Sequence, residues 1–359
     1  MAKLTIKQIA AQAGVSIGTV DRVLHKRGRV SKETEALVLE ICRQNDYAQN
    51  IVGKAMAMQR KTSTVAVVVR SRDMNSFSAQ IYDGLRAIES QIRDYNIIFE
   101  YRDIAAGTAE EQLDILDSLR EMDLSGLIIY PMDTPEVRTA LDGFSQRGVP
   151  VVLCTADVPS AKKLCFVGQD HHQDGRLMAN VLTKFTRSEP LKILMLTGSL
   201  QISSHRERIN GFLSYLQDWN GNYQISGLRE TTRDRGEIYH TALDALNSCP
   251  DINALYLNTA EPEPCLEALA EYGRFSGIRF CFGHRLKTGP LIRSGQLDFA
   301  IAESPFAHGY RSGEALFHYL LSQEVPAADR FVFHGEILLE ENSQRPPLNE
   351  QNFLRGGSK

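Results

Sequence analysis

The run Asp170-His171-His172-Gln173-Asp174 contains four side chains of the kinds that ligate zinc. Consecutive residues entering a helix point in different directions, so no metal is expected there. Ser203 and His205 do not fall in a nucleophile-elbow pattern with the aspartates. No Gly-x-x-x-x-Gly-Lys-Ser/Thr phosphate loop occurs. The remaining chemistry is binding. Residues 1–61 hold eleven Lys/Arg against five Asp/Glu, a net of +6, which leaves −10 for the rest of a chain whose total is −4. A basic head on an acidic body is the footprint of a phosphate-neutralising domain beside one that is not. A solvated charged surface gives the same count, so charge alone does not choose.

The elements that carry this charge are short helices. Thr5 is placed to cap a helix from Ile6 to about Ala13, and Gly14 to end it in the left-handed region. Ser16 caps a second helix from Ile17 to about His25, with Val20, Val23 and Leu24 facing inward. After the basic loop Lys26-Arg27-Gly28-Arg29, Ser31 caps a third helix, about Lys32 to Asn45, expected to pack through Leu37, Val38 and Ile41. Two short helices joined at a glycine turn make a helix-turn-helix, whose second helix can enter the major groove.

These residues carry a resemblance. The stretches Thr5 to Ser16, Thr19-Val20-Asp21-Arg22-Val23-Leu24 and Arg29-Val30-Ser31-Lys32-Glu33-Thr34 resemble the opening of the LacI/GalR family, in order and without gaps. The resemblance implies that Ile17 and Gly18 read bases and that Arg22 reads a guanine. A forked arginine–guanine contact is worth ~1–3 kcal/mol of discrimination. It implies that Thr5, Ser16, Thr19, Arg29 and Asn50 anchor phosphates. Thr5 and Ser16 also read as plain helix caps, and both roles can hold together. Asp21 stands where many members have serine and is expected to pair with Arg22 or His25. Residues 49–61 match the family's hinge helix, with Met56 at the position of an apolar minor-groove wedge.

The chain has 359 residues, 43% hydrophobic and 23% charged, as expected for two or three globular units. Its longest apolar runs, such as Val65–Val69 and Leu127-Ile128-Ile129, have the length of buried strands, not membrane spans. The first residues lack the apolar stretch of a secretory signal, and a cytoplasmic location is expected. The six cysteines are scattered without Cys-x-x-Cys, so buried free thiols are expected.

From Thr64 onward, strand-like runs (Val65–Val69, Ile97–Tyr101, Gly126–Tyr130, Val149–Cys154, Cys165–Val167, Lys192–Leu196, Ala254–Leu257, Ile278–Phe282, Phe299–Ala302) alternate with amphipathic helices. Such alternation predicts parallel sheets with helices on both faces, and this many strands predict two sheets with a cleft between them. The fold class expected is a small all-α helix-turn-helix domain plus a two-lobed, doubly wound α/β body. The body resembles the periplasmic sugar-binding-protein fold over nearly all of 63–343. It does so through Tyr82-Asp83-Gly84-Leu85, Pro131-Met132-Asp133-Thr134-Pro135, Ser204-His205-Arg206-Glu207-Arg208 and Ser304-Pro305-Phe306-Ala307-His308-Gly309-Tyr310. In that fold the chain crosses between lobes three times, here expected near Gly168–Asp170, Glu303–Pro305 and Gln323–Arg330.

Ligand residues are expected just after strand ends. Ser71 and Phe77 follow the first strand, Asp133 the third and Asp157 the fourth. Arg206 opens the helix after Thr197-Gly198-Ser199, where the resemblance implies a hydroxyl- or carboxylate-binding arginine. Asn258, His284 and Glu303 follow three later strands. Phe77 also reads as lid packing, and Asp157 and Glu303 as surface groups. The pattern departs from common sugar binders at Thr155-Ala156, at His284 (usually aspartate) and at Glu303 (usually glutamine), so an altered sugar, polyol or sugar acid is expected. His284 is expected to be a neutral hydrogen-bonding group.

The domains expected are a head at 1–48, a hinge at 49–62, a body at 63–343 (lobe 1 about 63–168 and 304–325, lobe 2 about 169–303 and 328–343) and a tail at 344–359. The function expected is a DNA-binding regulator, a repressor, acting as a homodimer on pseudo-palindromic double-stranded operator DNA. It would be controlled by a small polar effector, with no cofactor, no membrane partner and no enzymatic activity. A solute-binding protein without a regulatory role, or an enzyme acting in the cleft, are the alternatives.

Overall fold

A computed structural model of the protein describes residues 6–24, 30–44, 62–186, 190–231 and 234–345. In the head, helices α1 (Ile6–Ala13), α2 (Ile17–Leu24) and α3 (Lys32–Gln44) bury Ile9, Val20 and Val38 completely, with Ala10, Val23 and Ile41 beside them. Gly14 turns the chain at φ +64°, and Val15 N–H returns to the Ala10 carbonyl at 3.0 Å. Leu37, expected in this core, is instead 47% exposed. The face defined by Val38 and Ile41 leaves its neighbour about 100° around the helix.

The body consists of two sheets of the same design. The first contains β1 (Ser63–Arg70), β2 (Ile97–Ile104), β3 (Gly126–Ile129), β4 (Val151–Thr155), β5 (Cys165–Gln169) and β11 (Arg330–Phe333), ordered β11-β5-β4-β3-β1-β2. The second contains β6 (Leu191–Thr197), β7 (Tyr223–Glu230), β8 (Ala254–Asn258), β9 (Ile278–His284), β10 (Phe299–Glu303) and β12 (Glu336–Leu338), ordered β12-β10-β9-β8-β6-β7. All neighbours run parallel except β12, which pairs antiparallel with β10. Parallel strands need helical coverage on both faces, which is why their sequences are near-continuous apolar runs. In β1, Val65, Val67 and Val69 enter the core on one face, and Ala66 and Val68 the core on the other.

The chain passes from the first sheet to the second after Gln169, and back after Glu303 into the helix Pro305–Ser322. The third crossing does not lie at 323–330. Residues Arg330–Phe333 still pair with β5 of the first lobe, and the chain crosses only at His334-Gly335, before β12. Three strands escaped the hydrophobic pattern. β7, β11 and β12 are edge strands, and β7 and β11 are largely exposed. Burial on few sides leaves no apolar run to detect.

Each lobe holds its crossing region through a pair of helices in close backbone contact. In the first lobe α4 (Ser76–Ile92) meets the helix Pro305–Ser322, where a Cβ on Gly84 would lie 2.1 Å from the Phe306 carbonyl oxygen and one on Gly309 2.1 Å from that of Ile81. In the second lobe the helices His171–Phe185 and Ser203–Asp218 meet similarly. A Cβ on Gly175 would lie 2.1 Å from the Arg208 carbonyl oxygen, and one on Gly211 1.9 Å from that of His172. Backbone cannot yield as a side chain does, so Gly211→Ala should destabilise the body by about 1–3 kcal/mol. Chemical denaturation of the purified variant measures this; an unchanged midpoint would show that the helices separate without cost.

Candidate binding cleft

The carboxyl ends of β1, β4, β9 and β10 face one another across a cleft. Lobe 1 contributes Arg70, Asn75, Phe77, Ser78, Tyr130 and Thr155. Lobe 2 contributes Ser204, His205, Arg208, Thr259, Phe282, His284 and Glu303.

Arg208 is the central cation. It is only 6% exposed, forms an ion pair with Glu303 at 2.5 Å, donates to Asn258 Oδ1 at 3.2 Å and lies 4.8 Å over the Phe282 ring. Asn258 is fully engaged, donating from Nδ2 to Thr197 Oγ1 (3.0 Å) and to the His205 carbonyl (3.1 Å). It fixes Arg208 and does not line the cleft. Burial raises the Glu303 pKa, against the pull of Arg208. Three buried polar atoms in the lining have no hydrogen-bond partner among the described residues: Ser78 Oγ, Arg208 Nε and Glu303 Oε2.

Thr155 marks the strained end of β4. Its φ is +69°, rare for a β-branched residue, and Ala156 N–H closes a three-residue turn to the Cys154 carbonyl at 2.8 Å. Histidines hold it there. His171 Nε2–H donates to the Thr155 carbonyl at 2.9 Å, and His308 lies 3.3 Å from Thr155 Oγ1 and 3.2 Å from Gln169 Oε1. Burial first, and then the Arg208 charge, push His205 and His308 down to about 3, and His171 well below the usual imidazole range. His171 and Asp174 are thus absorbed into the hinge. Asp174 accepts the Gly335 N–H at 2.9 Å, and burial raises it to about 6. Among the described residues no group of three such ligands is placed to hold a metal ion.

The other expected ligand residues divide. Phe77, His284 and Glu303 line the cleft. His284 also ties the lobes together: its Nε2 meets Ser76 Oγ at 2.9 Å, and Gln80 Nε2 donates to its Nδ1 at 2.6 Å. Burial, then Lys287, lowers it to about 4, so it is a neutral hydrogen-bonding group near pH 7. Asp133 and Arg206 pair with each other across the lobes at the rim, while Asp133 N–H donates to the Gln201 carbonyl at 2.9 Å. Asp157 faces Lys163 (3.0 Å) and Arg330, outside the cleft. Ser71 precedes the turn Arg72–Met74 and also lies outside the lining.

The cleft lining also holds Arg208, Arg70 and Ser78, which the sequence reading, with Arg206 as its arginine, did not name. A signal for Arg208 was present. Ser204, Arg208, Gly211 and Phe212 share one helical face by their spacing, and Arg206 does not.

In the head, Ser16 Oγ accepts the Thr19 N–H at 3.0 Å and so caps α2. Arg22 lies back along the helix, donating to the Gly18 carbonyl (3.1 Å) and Thr19 Oγ1 (3.2 Å), while Ile17 is 53% exposed. The exposed Ile17, Gly18 and Arg22 thus share the first turns of α2. Thr5, Arg29, Asn50 and Met56 lie outside the described residues, as does His25.

Residues 5–50 match the lacI family of bacterial regulatory proteins, and residues 65–324 match a periplasmic binding protein domain. The chain belongs to the LacI family. Its curated relatives include catabolite control protein A of Streptococcus mutans, 26% identical over 65% of this chain and 62% of that protein. The transcriptional repressor PurR of Vibrio cholerae is 27% identical over 61% of this chain and 65% of its own length. The chain thus spans less than two thirds of the length of these relatives. Among solved structures, the glucose-galactose binding protein GanP of Geobacillus stearothermophilus superposes with a TM-score of 0.71 at 19% identity. That match covers 79% of this chain and 99% of GanP, and shows the shared fold. No helix among the described residues of this LacI-family chain is long and apolar enough to cross a membrane.

The buried histidines set a pH dependence. A group lowered in the fold contributes stability that is complete above its ordinary pKa and is lost as pH falls through the folded value. For His284 that window runs from 6.5 down to about 4. Asp174 acts oppositely, losing its contribution as pH rises from 3.8 to about 6. Calorimetry between pH 6.5 and 4 should therefore show a shallower acid loss for His284→Asn, by up to about one proton, and a steeper one for Asp174→Asn. Parallel curves for all three proteins would contradict these assignments.

Proposed function

We propose that this protein is a transcriptional repressor whose affinity for operator DNA is set by a small polar effector, a sugar, polyol or sugar acid, bound between the two lobes. The observation that carries the sensing half is the convergence of Ser78 Oγ, Arg208 Nε and Glu303 Oε2, buried and without hydrogen-bond partners among the described residues, on one interlobe cleft. Buried polar groups are satisfied in native proteins, and a hydroxylated ligand supplies the missing donors and acceptors. Phe77 gives the ligand an apolar face, and Arg208 and Glu303 fix its orientation.

In the head, Ile17, Gly18 and Arg22 read base edges, while Thr5, Ser16, Thr19, Arg29 and Asn50 anchor phosphates. Met56, in a hinge at 49–62, wedges the minor groove. Two copies of the chain bind a pseudo-palindrome. The effector acts by changing how the lobes close, and the His284 clamp and the Asp133–Arg206 pair are the contacts that closure makes. The ligand leaves unchanged, and the protein works in the cytoplasm.

Anisotropy with a duplex selected from randomised pseudo-palindromes tests the reading. Arg22→Ala should lose about 1–3 kcal/mol of discrimination at one base pair while binding to random duplex is nearly retained. Equal loss on both duplexes would refute base reading. Arg208→Met should keep operator binding and lose its response to a ligand found by thermal-shift screening; an intact response would remove the cleft from the mechanism.

A further inference from the structure

The cleft lining is richer in hydrogen-bond donors than in acceptors, and its charges are unequally compensated. Arg208 is balanced by Glu303, and Lys287 is held at 2.7 Å by both Glu261 and Glu263. Arg70 is different. It ends β1, is half-buried, lies 5.0 Å over the Tyr130 ring, and among the described residues has no carboxylate partner. Its charge reaches across the cleft, where it helps to keep His205 of the opposite lobe neutral.

The backbone adds to this field. The helices Ser76–Ile92, Ser203–Asp218 and Arg285–Arg293 begin at the cleft, with Ser78, Ser204 and Lys287 of their first turns in its lining. Helix N-termini favour negative charge. Two donors in the lining are buried and unpartnered, Ser78 Oγ–H and Arg208 Nε–H, against one unpartnered acceptor, Glu303 Oε2.

Resting on the reading of this cleft as the effector site, we propose that the effector is an anionic polyhydroxy compound of monosaccharide size. Its carboxylate or phosphate is gripped by Arg70 and Ser78 of lobe 1, and its hydroxyl groups lie on Arg208 and Glu303 of lobe 2. A planar guanidinium stacked on an aromatic ring keeps its fork free for two parallel bonds to such a group. The anion then bridges the lobes, with Arg70 drawing it to one and the hydroxyl contacts to the other.

The test is calorimetric titration of the full-length protein with D-gluconate and D-glucose 6-phosphate, and with neutral D-glucose and D-galactose. One or both anionic compounds should bind, more weakly as salt rises, and whichever binds separates carboxylate from phosphate recognition. Arg70→Leu should weaken that binding by about tenfold or more, the cost of losing one charge-assisted partner, and Arg70→Lys by less. Thermal unfolding of the unliganded variants checks that they fold. Glucose or galactose binding as tightly as the anions, or Arg70→Leu leaving anion affinity intact, would overturn the anionic assignment while leaving the cleft as the effector site. Failure of all four compounds to bind would overturn the assignment, and Arg208→Met then decides the cleft reading through the response to the thermal-shift ligand.

Discussion

A guanidinium held out of water at the junction of two lobes needs a counter-charge, and much of the surrounding structure supplies or adjusts to it. Arg208 takes Glu303 as its partner and Asn258 as a hydrogen-bond acceptor. An unpaired charge at 6% exposure would cost several kcal/mol, so the pair has to form within the fold. The same positive charge favours the neutral form of the nearby histidines. A neutral imidazole can donate at one nitrogen and accept at the other, and His308 does so between Gln169 and Thr155; with His171, which donates from Nε2 to the Thr155 carbonyl, it holds Thr155 at a backbone angle that such a residue rarely adopts.

The position of Arg208 is set by glycine contacts as much as by polar ones. Its own carbonyl oxygen packs where a side chain on Gly175 would stand, and three residues later Gly211 lets the same helix close on His172. These approaches bring the helix Ser203–Asp218 against the helix that follows the first crossing. The first lobe repeats the arrangement with Gly84 and Gly309, beside the helix that follows the second crossing. Sites at the carboxyl ends of parallel strands therefore rest on rigid helix pairs, and movement between lobes is left to the crossing segments and to the contacts at the rim.

Much of the fold was legible because its signals are local. Near-continuous apolar runs of three to six residues marked the inner strands, and Ser16 and Ser31 cap helices in the structure as their side chains dictate. The edge strands β7, β11 and β12 gave no such signal, so β11 was missed and the third crossing was placed too early. In the site, Phe77, His284 and Glu303 line the cleft. Asp133, Asp157, Arg206 and Asn258 lie close to strand ends as well, but outside that lining. Proximity to a strand end selects residues near the cleft, and it does not decide which way a side chain turns.

The sequence by itself determined the basic helical head, the doubly wound class of the body and the neighbourhood of its cleft, since periodicity, capping and charge counts act over a few residues. Only the tertiary structure separated the placements of Arg206 and Arg208. Two positions along a helix differ by about 200°, so one arginine reaches the rim and the other the buried centre. The same holds for Thr155, whose strained backbone is kept by histidines from two later helices, and for Arg70, whose lack of a carboxylate partner among the described residues is a property of everything around it. Pairing of buried polar groups is a sum over neighbours distant in the chain, and the folded arrangement alone fixes it.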